Sequence, residues 1–194
     1  SKVIDADGRI TAPGFYDDVE EVPQAEREMI AHIPFNEEKY KAAIGVKELF
    51  GEKGYSTLER NSCRPSFDVC GIWGGYTGEG SKTVLPSKAF AKVSCRLVPH
   101  QDHHKISELF ADYIRSIAPE TVQVKVTPMH GGQGYVCPIS LPAYQAAEKG
   151  FEVAFGKKPL AVRRGGSIPI ISTFEQVLGI NGIWFGIRCH PFSQ

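Results

Sequence analysis

Two strand patterns meet across a glycine-rich turn in residues 71–99, and this pairing constrains the fold more than any other feature of the sequence. In the second pattern every odd position from residue 89 to residue 97 is apolar, and the even positions are mostly polar or charged. A period of two is typical of an antiparallel strand with one buried face. We therefore predict a hairpin whose second strand buries Ala89, Ala91, Val93, Cys95 and Leu97.

The polar face of that strand carries two informative residues. Phe90 is its one apolar exception, which suggests that the face is partly covered, another subunit being one candidate. Arg96 projects from a rigid element, where a guanidinium can be aimed at an anion. A surface salt bridge is the alternative interpretation of a single Arg.

Helix signals flank the hairpin. Asp102 is placed to cap a helix with the best apolar stripe in the chain, and Pro119 ends it. The alternation in residues 122–126 then predicts another strand. Upstream, we predict a strand or hairpin in residues 1–11, a helix whose first residue is Pro23, a short helix from Asn36 to Gly45, and an irregular connection in residues 51–65.

The composition changes at His130, and the following residues predict a second unit. Helices are expected over residues 142–155 and from Pro169 to Leu178, followed by a buried strand at residues 183–185. The fold class predicted for the whole chain is α+β. An open-faced antiparallel sheet with helices on one face, an incomplete ferredoxin-like unit with a helical insertion near its start, occupies residues 1–127, and part of a layered α/β domain occupies residues 128–194.

Charge and cysteine usage exclude some functions. The 22 basic residues balance 22 acidic ones, so overall charge supports neither a nucleic-acid groove nor a patch for anionic membranes. No apolar run approaches the length of a membrane span, and no signal-peptide pattern opens the chain. The five cysteines are odd in number and dispersed, which fits reduced thiols in a cytoplasmic protein.

The motif R-R-G-G-S-I-P at residues 163–169 is the most informative local pattern. Gly165 and Gly166 allow close backbone approach, and Ser167 sits at an N-cap before Pro169. Free backbone N–H groups and the helix dipole make such a terminus an anion site. An ordinary capped helix after a Gly-Gly turn is the alternative. His130, which precedes two glycines, also has two interpretations: it is a ligand-binding residue, or it belongs to a hinge between domains.

Two further clusters have the composition of metal sites. The acidic residues at 17, 18, 20 and 21 precede a helix, so they are also the acids that complement a helix dipole. His100, His103 and His104 straddle a helix start, where exposed cap residues are the alternative to ligands. The sequence has no nucleophile elbow, phosphate loop or dinucleotide fingerprint.

Several motifs, taken in order, resemble one family: G-I-W-G-G-Y-T-G-E-G-S-K-T-V-L-P, S-C-R-L-V-P, M-H-G-G and R-R-G-G-S-I-P, with G-R-I-T-A-P-G-F-Y-D-D-V near the start. They are similar to the zinc metallopeptidases that include carnosinase-type dipeptidases, glutamate carboxypeptidase, aminoacylase, acetylornithine deacetylase and succinyl-diaminopimelate desuccinylase. The resemblance covers nearly the whole chain. It implies a lid, or dimerisation, domain in residues 1–127 and the C-terminal part of a catalytic domain in residues 128–194.

The resemblance also implies residue roles. Arg96, His130 and Ser167, with Gly166 beside it, match residues that hold the substrate's carboxylate and backbone, which agrees with what a free carboxylate requires. Thr83 in K-T-V-L-P matches the residue that reaches the active site of the neighbouring subunit.

Metal binding is where this chain departs from the family. Members bind two metal ions through a His-x-Asp motif, a bridging Asp and a Glu-Glu pair in a segment that these 194 residues lack. His190 is a candidate metal ligand, although it comes earlier after the predicted strand than the family's metal-binding His does and lacks that residue's Asn-Glu context.

The resemblance thus implies a cytoplasmic, homodimeric, zinc-dependent parent with two zinc ions per subunit, which cleaves dipeptides or N-acyl amino acids. We expect the chain alone to be inactive and to contribute substrate binding and dimerisation. The alternative is a non-catalytic ligand-binding or dimerisation module.

Overall fold

The computed structural model of the chain describes residues 2–163 and 170–183. Within them the helices and strands follow the order α1 (Gln24–Ala31), α2 (Glu37–Ile44), α3 (Thr57–Ser62), β1 (Ser66–Gly74), β2 (Ala89–Arg96), α4 (His103–Ile117), α5 (Pro142–Phe155) and α6 (Ile170–Leu178). None of these helices is long and apolar enough to cross a membrane.

The predicted hairpin is present. β1 and β2 pair antiparallel, from Ser66 opposite Arg96 to Gly74 opposite Ala89, with an irregularity between Val69 and Gly71. A bulge of this kind adds one residue to a strand and increases its local twist. In the described part of the chain the sheet has these two strands.

The core lies between the N-terminal segment, one end of the hairpin and α4. Phe15 is fully buried and clusters with four other buried residues: Ile10, Ala12, Ile106 and Phe110. Phe67 of β1 stacks on Phe110 of α4 with ring centroids 5.1 Å apart. Helix α4 therefore packs on one end of one face of the sheet, as expected for an α+β fold.

Polar bonds fix α4 against this core. The side chain of Asp102 caps the helix by accepting a hydrogen bond from the backbone N–H of Lys105 at 2.8 Å, as predicted. Gln101 is fully buried; its amide accepts from the Val98 N–H at 3.0 Å and donates to the Phe15 carbonyl at 2.8 Å. These two bonds satisfy a buried amide and join the end of β2 to the N-terminal segment.

The predicted burial of β2 is correct at one end of the strand only. Cys95 and Leu97 pack against the core, whereas Val93 is 47% exposed and Ala89 and Ala91 are exposed as well. The cause is that α4 covers only the end of the hairpin where β1 begins. Alternation identifies a face, but the length of the covering element decides how much of it is buried.

Two predictions of secondary structure are wrong. Residues 122–126 are not a strand, and Val122 and Val124 are exposed, because a strand forms only where a partner supplies its hydrogen bonds. Residues 51–65 are not wholly irregular, since they contain α3. This helix opens with a capping box between Ser56 and Glu59, a signature that the sequence displays.

The remaining helix predictions agree closely with the structure. Asn36 caps α2, and Gly45 and Gly156 end α2 and α5 at φ values of 72° and 67°, the left-handed region that favours glycine. Pro23 is the N-cap of α1 rather than its first helical residue. Residues 2–11 form a turn closed by an isolated bridge between Ile4 and Ile10. The predicted strand at 183–185 extends outside the described residues.

Candidate substrate-binding site

Arg96 is the last residue of β2 and lies opposite Ser66. It is exposed, on the strand face that also carries Lys92 and Ser94. Farther along this face, Trp73 and Phe90 form a stacked cross-strand pair with centroids 5.2 Å apart and planes inclined by 10°. Both rings remain nearly half exposed. The presence of Phe90 predicts that this face is covered, but within the described chain it is open.

Thr83 lies in the long loop, residues 75–88, that joins β1 to β2. The loop has one local constraint: the Tyr76 hydroxyl donates to the Glu79 carbonyl at 2.8 Å, and the Lys82 ammonium lies 4.6 Å from the Tyr76 ring centroid. Val84 and Leu85, which follow Thr83, are 77% and 89% exposed. The loop thus presents Thr83 on an exposed apolar tip.

His130 is exposed and lies in the irregular segment before α5. The next residue, Gly131, packs against His103 at the start of α4, where a Cβ on residue 131 would lie 2.8 Å from the His103 Nδ1 atom. A side chain there would force the two segments apart. The close contact therefore fixes the backbone beside His130 against α4.

The other predicted site residues, Gly166, Ser167 and His190, lie outside the described residues. Arg163, the first residue of the R-R-G-G motif, donates from Nη2 to the Glu26 carboxylate at 2.8 Å, and its Nε atom contacts the same carboxylate. Its charge is thus paired with α1, and the pairing fixes the segment that leads into residues 164–169.

Two cavities border these residues. The smaller, of about 190 Å³, lies between residues 20–23 and 98–100 and includes Cys63, Val136 and Arg163 in its wall. Burial raises the pKa of the Cys63 thiol, so this group is a poor nucleophile. The larger cavity, of about 520 Å³, lies between the start of α4, residues 131–133 and α6. Arg96, His130 and Thr83 line neither cavity, but close sequence neighbours of Arg96 and His130 do.

The described residues do not form a metal centre. Among them, no group of three His, Cys, Asp or Glu side chains could hold a metal ion. The acidic cluster is instead paired: Asp18 with Lys105 at 2.6 Å and Glu20 with His100 at 3.4 Å. The rings of His103 and His104 contact each other with centroids 4.0 Å apart, at the first turn of α4.

The sequence predictions did not include those residues of the larger cavity's wall that lie outside α4. Gln133, Thr173 and Gln176 belong to segments separated by about forty residues, and no motif links them. A signal existed only for the glycines of M-H-G-G, which permit the close approach to α4.

Comparison with known proteins supports the resemblance. A family model described as a peptidase dimerisation domain (M20_dimer) matches residues 19–122. The Cys-Gly metallodipeptidase DUG1 of Candida albicans is 32% identical over 184 residues, which are 93% of this chain and 38% of the relative.

Solved structures agree with the sequence relatives. An M20 family metallo-carboxypeptidase, Sso-CP2 from Sulfolobus solfataricus, matches with a TM-score of 0.79 and 30% identity, over 93% of this chain and 41% of its own. Human carnosine dipeptidase 1 matches with a TM-score of 0.76 and 26% identity, over 92% of this chain and 38% of its own.

The chain thus spans about two fifths of the length of these relatives. The structural matches confirm the predicted α+β class, and the metallopeptidase names of the relatives imply a metal cofactor. Because the family model covers more than half of the sequence, this chain belongs to the M20 peptidase dimerisation-domain family.

Proposed function

We propose that the full-length protein containing this chain is a zinc-dependent, dipeptidase-type metallopeptidase that hydrolyses the amide bond of dipeptides or N-acyl amino acids. In it this chain binds the substrate's carboxylate and mediates dimerisation. The observation that carries the proposal is the match over 93% of the chain to a protein named as a Cys-Gly metallodipeptidase. Residues 1–127 are assigned to the lid and residues 128–194 to the catalytic domain.

Substrate binding is assigned to Arg96, His130, Gly166 and Ser167. The position of Arg96 at the end of a paired strand supports its role, since a strand holds a guanidinium more precisely than a loop does. His130 has a backbone neighbour that packs closely on α4, which limits where its imidazole can move. A guanidinium, an imidazole and a helix N-terminus are complementary to one carboxylate.

Dimerisation is assigned to the lid, in a homodimer. The family model that matches residues 19–122 is described as a dimerisation domain. The hairpin also exposes apolar side chains that a second subunit would bury: Val69, Ile72, Trp73, Phe90 and Val93, each at least 44% exposed. Thr83, on the exposed loop tip, is assigned to the neighbouring subunit's active site.

The metal is proposed to be zinc, two ions per subunit. Among the described residues no group of three His, Cys, Asp or Glu side chains could hold it, and His190, which lies outside them, is the ligand that the sequence suggests. A cytoplasmic location is proposed on the thiol chemistry: the four cysteines within the described ranges are free, as expected in a reducing compartment.

The test uses the purified full-length protein. We expect about two zinc ions per subunit by elemental analysis, hydrolysis of simple dipeptides, loss of activity with a chelator and recovery with zinc. Sedimentation should give a dimer. A folded, full-length dimer that binds dipeptides without cleaving them would instead establish the non-catalytic module.

A further inference from the structure

The larger cavity, of about 520 Å³, is built from three separate segments. Its wall consists of residues 102–104 at the start of α4, residues 131–133 and four residues of α6 between Ile170 and Gln176. The volume falls in the range of roughly 300–1,000 Å³ that is typical of small-molecule sites. Such a cavity holds a side chain or a small ligand with room for water.

The side chains in its wall are mostly polar and mostly uncharged. Gln133 and Gln176 carry amides, Thr173 carries a hydroxyl, and His103 and His104 carry imidazoles. Each neutral group of these kinds can both donate and accept hydrogen bonds. The one carboxylate in the wall, Asp102, is committed to capping α4.

This lining favours a ligand group that hydrogen-bonds without carrying charge. An apolar group would displace water from amides and imidazoles without replacing the hydrogen bonds, which is unfavourable. An anionic group would face the carboxylate of Asp102, and a cationic group would find that carboxylate already engaged by the backbone N–H of Lys105. Amide, hydroxyl and imidazole groups avoid both penalties.

Residues of the cavity wall are close in sequence to two of the proposed carboxylate-binding residues. Gly131 follows His130 in sequence, and Ile170 follows Ser167 by three residues. A substrate carboxylate held by His130 and Ser167 is bonded to the α-carbon of the C-terminal residue, so the side chain of that residue must lie close by. The cavity lies between the segments that follow His130 and Ser167 in sequence, so it can receive that side chain.

We propose that this cavity binds the side chain of the substrate's C-terminal residue and selects polar, uncharged side chains. The assignment rests on the proposed function, because it requires a peptide held by its carboxylate. Gln133 and Gln176, from two separate segments of the cavity wall, determine the specificity.

The experiment measures kcat/KM of the full-length enzyme for dipeptides with a common N-terminal residue and C-terminal Gln, Leu, Thr, Val or Gly. We expect Gln over Leu and Thr over Val by on the order of 10-fold or more, the discrimination that a hydrogen-bonding pocket provides. The substitutions Gln133→Leu and Gln176→Leu should each reduce the Gln/Leu ratio several-fold.

A matched control is Gln145→Leu, because Gln145 is an exposed residue of α5 outside the cavity wall and its loss should leave the ratio unchanged. One outcome is a wild-type enzyme that turns over the Gly-ended dipeptide normally and yet shows no preference for Gln over Leu or for Thr over Val. That result would overturn this assignment and leave the proposed function intact. Absence of turnover with every dipeptide would overturn both. The wild-type ratios decide the matter even if a cavity variant misfolds.

Discussion

The guanidinium of Arg64 and the carboxylate of Glu52 form a two-point ion pair inside the folded chain, with Nε–Oε2 at 2.7 Å and Nη2–Oε1 at 2.8 Å. Their side chains are only 3% and 6% exposed. Arg64 also lies over the ring of Tyr55, 4.3 Å from its centroid. Although burial alone would lower the pKa of Arg64, its bonds to Glu52 raise it, so the guanidinium keeps its charge inside the fold.

Replacing one partner of this pair should therefore be strongly destabilising. We expect Glu52→Ala to lower the free energy of unfolding by about 3 kcal/mol, because it leaves the Arg64 charge buried without its partner. Urea unfolding measures the loss. The exposed ion pair between Asp7 and Lys53 provides the control: Asp7→Ala should have a much smaller effect. Equal losses in the two variants would contradict the prediction.

A second prediction concerns acid sensitivity. Burial would raise the pKa of Glu59, but hydrogen bonds from Arg27 at 2.5 Å and from the Ser56 N–H at 2.6 Å lower it overall. A carboxyl group whose pKa is lower in the folded than in the unfolded protein stabilises the folded state. This contribution is complete above the unfolded pKa of about 4.3, and it is lost as the pH falls through the lower, folded pKa.

Glu59→Gln should accordingly destabilise the protein at pH 7 by about 1.5 kcal/mol, the typical contribution of hydrogen bonds to a charged group. The difference between the two proteins should narrow as the pH falls towards about 3. Urea titrations at several pH values test this. A difference that stays constant with pH would show that Glu59 contributes through packing alone.

Thiol reactivity should follow burial. Burial, followed by the charge of Asp68, raises the pKa of the Cys95 thiol to about 11, and Cys70 is exposed. At pH 8 about one Cys95 in a thousand would then be a thiolate, the reactive form. We expect iodoacetamide to label Cys70 well before Cys95, as read by peptide mass spectrometry. Early labelling of Cys95 in the native protein would contradict its burial against the core.

If Thr83 acts in the neighbouring subunit, two inactive variants should complement each other. In a mixed dimer of Thr83→Val and His130→Ala subunits, one active site then has both residues intact. Random exchange should restore about a quarter of the wild-type activity in a twofold-symmetric dimer. Each variant alone is the control. No recovery after demonstrated subunit exchange would place Thr83 in its own subunit's site.

Arg96→Lys tests the proposed carboxylate contact. Lys keeps the charge but not the planar two-point fork, so kcat/KM of the full-length enzyme should fall on the order of 100-fold. Lys92→Ala, on the same strand face, is the matched control and should change kcat/KM little. Unchanged kinetics in Arg96→Lys would remove Arg96 from the substrate site.

By itself the sequence determined the local structure. The caps at Asn36 and Asp102 and the ends at Gly45 and Gly156 were predictable because each depends on residues adjacent in the chain. The β1–β2 pairing was predictable because the two strand patterns follow one another across a single glycine-rich loop. The capping box of Ser56 and Glu59 was equally local and was overlooked. Motif order also identified the family, because those motifs are specific in combination.

Only the tertiary structure decided what covers each face and which distant residues meet. Alternation predicted burial along all of β2, but α4 reaches only Cys95 and Leu97. Residues 122–126 alternate as a strand does, yet no strand within the described ranges pairs with them. Gln133 and Gln176 share a cavity although no local pattern connects them. Burial and cavities depend on contacts between segments far apart in sequence, and a one-dimensional period does not contain that information.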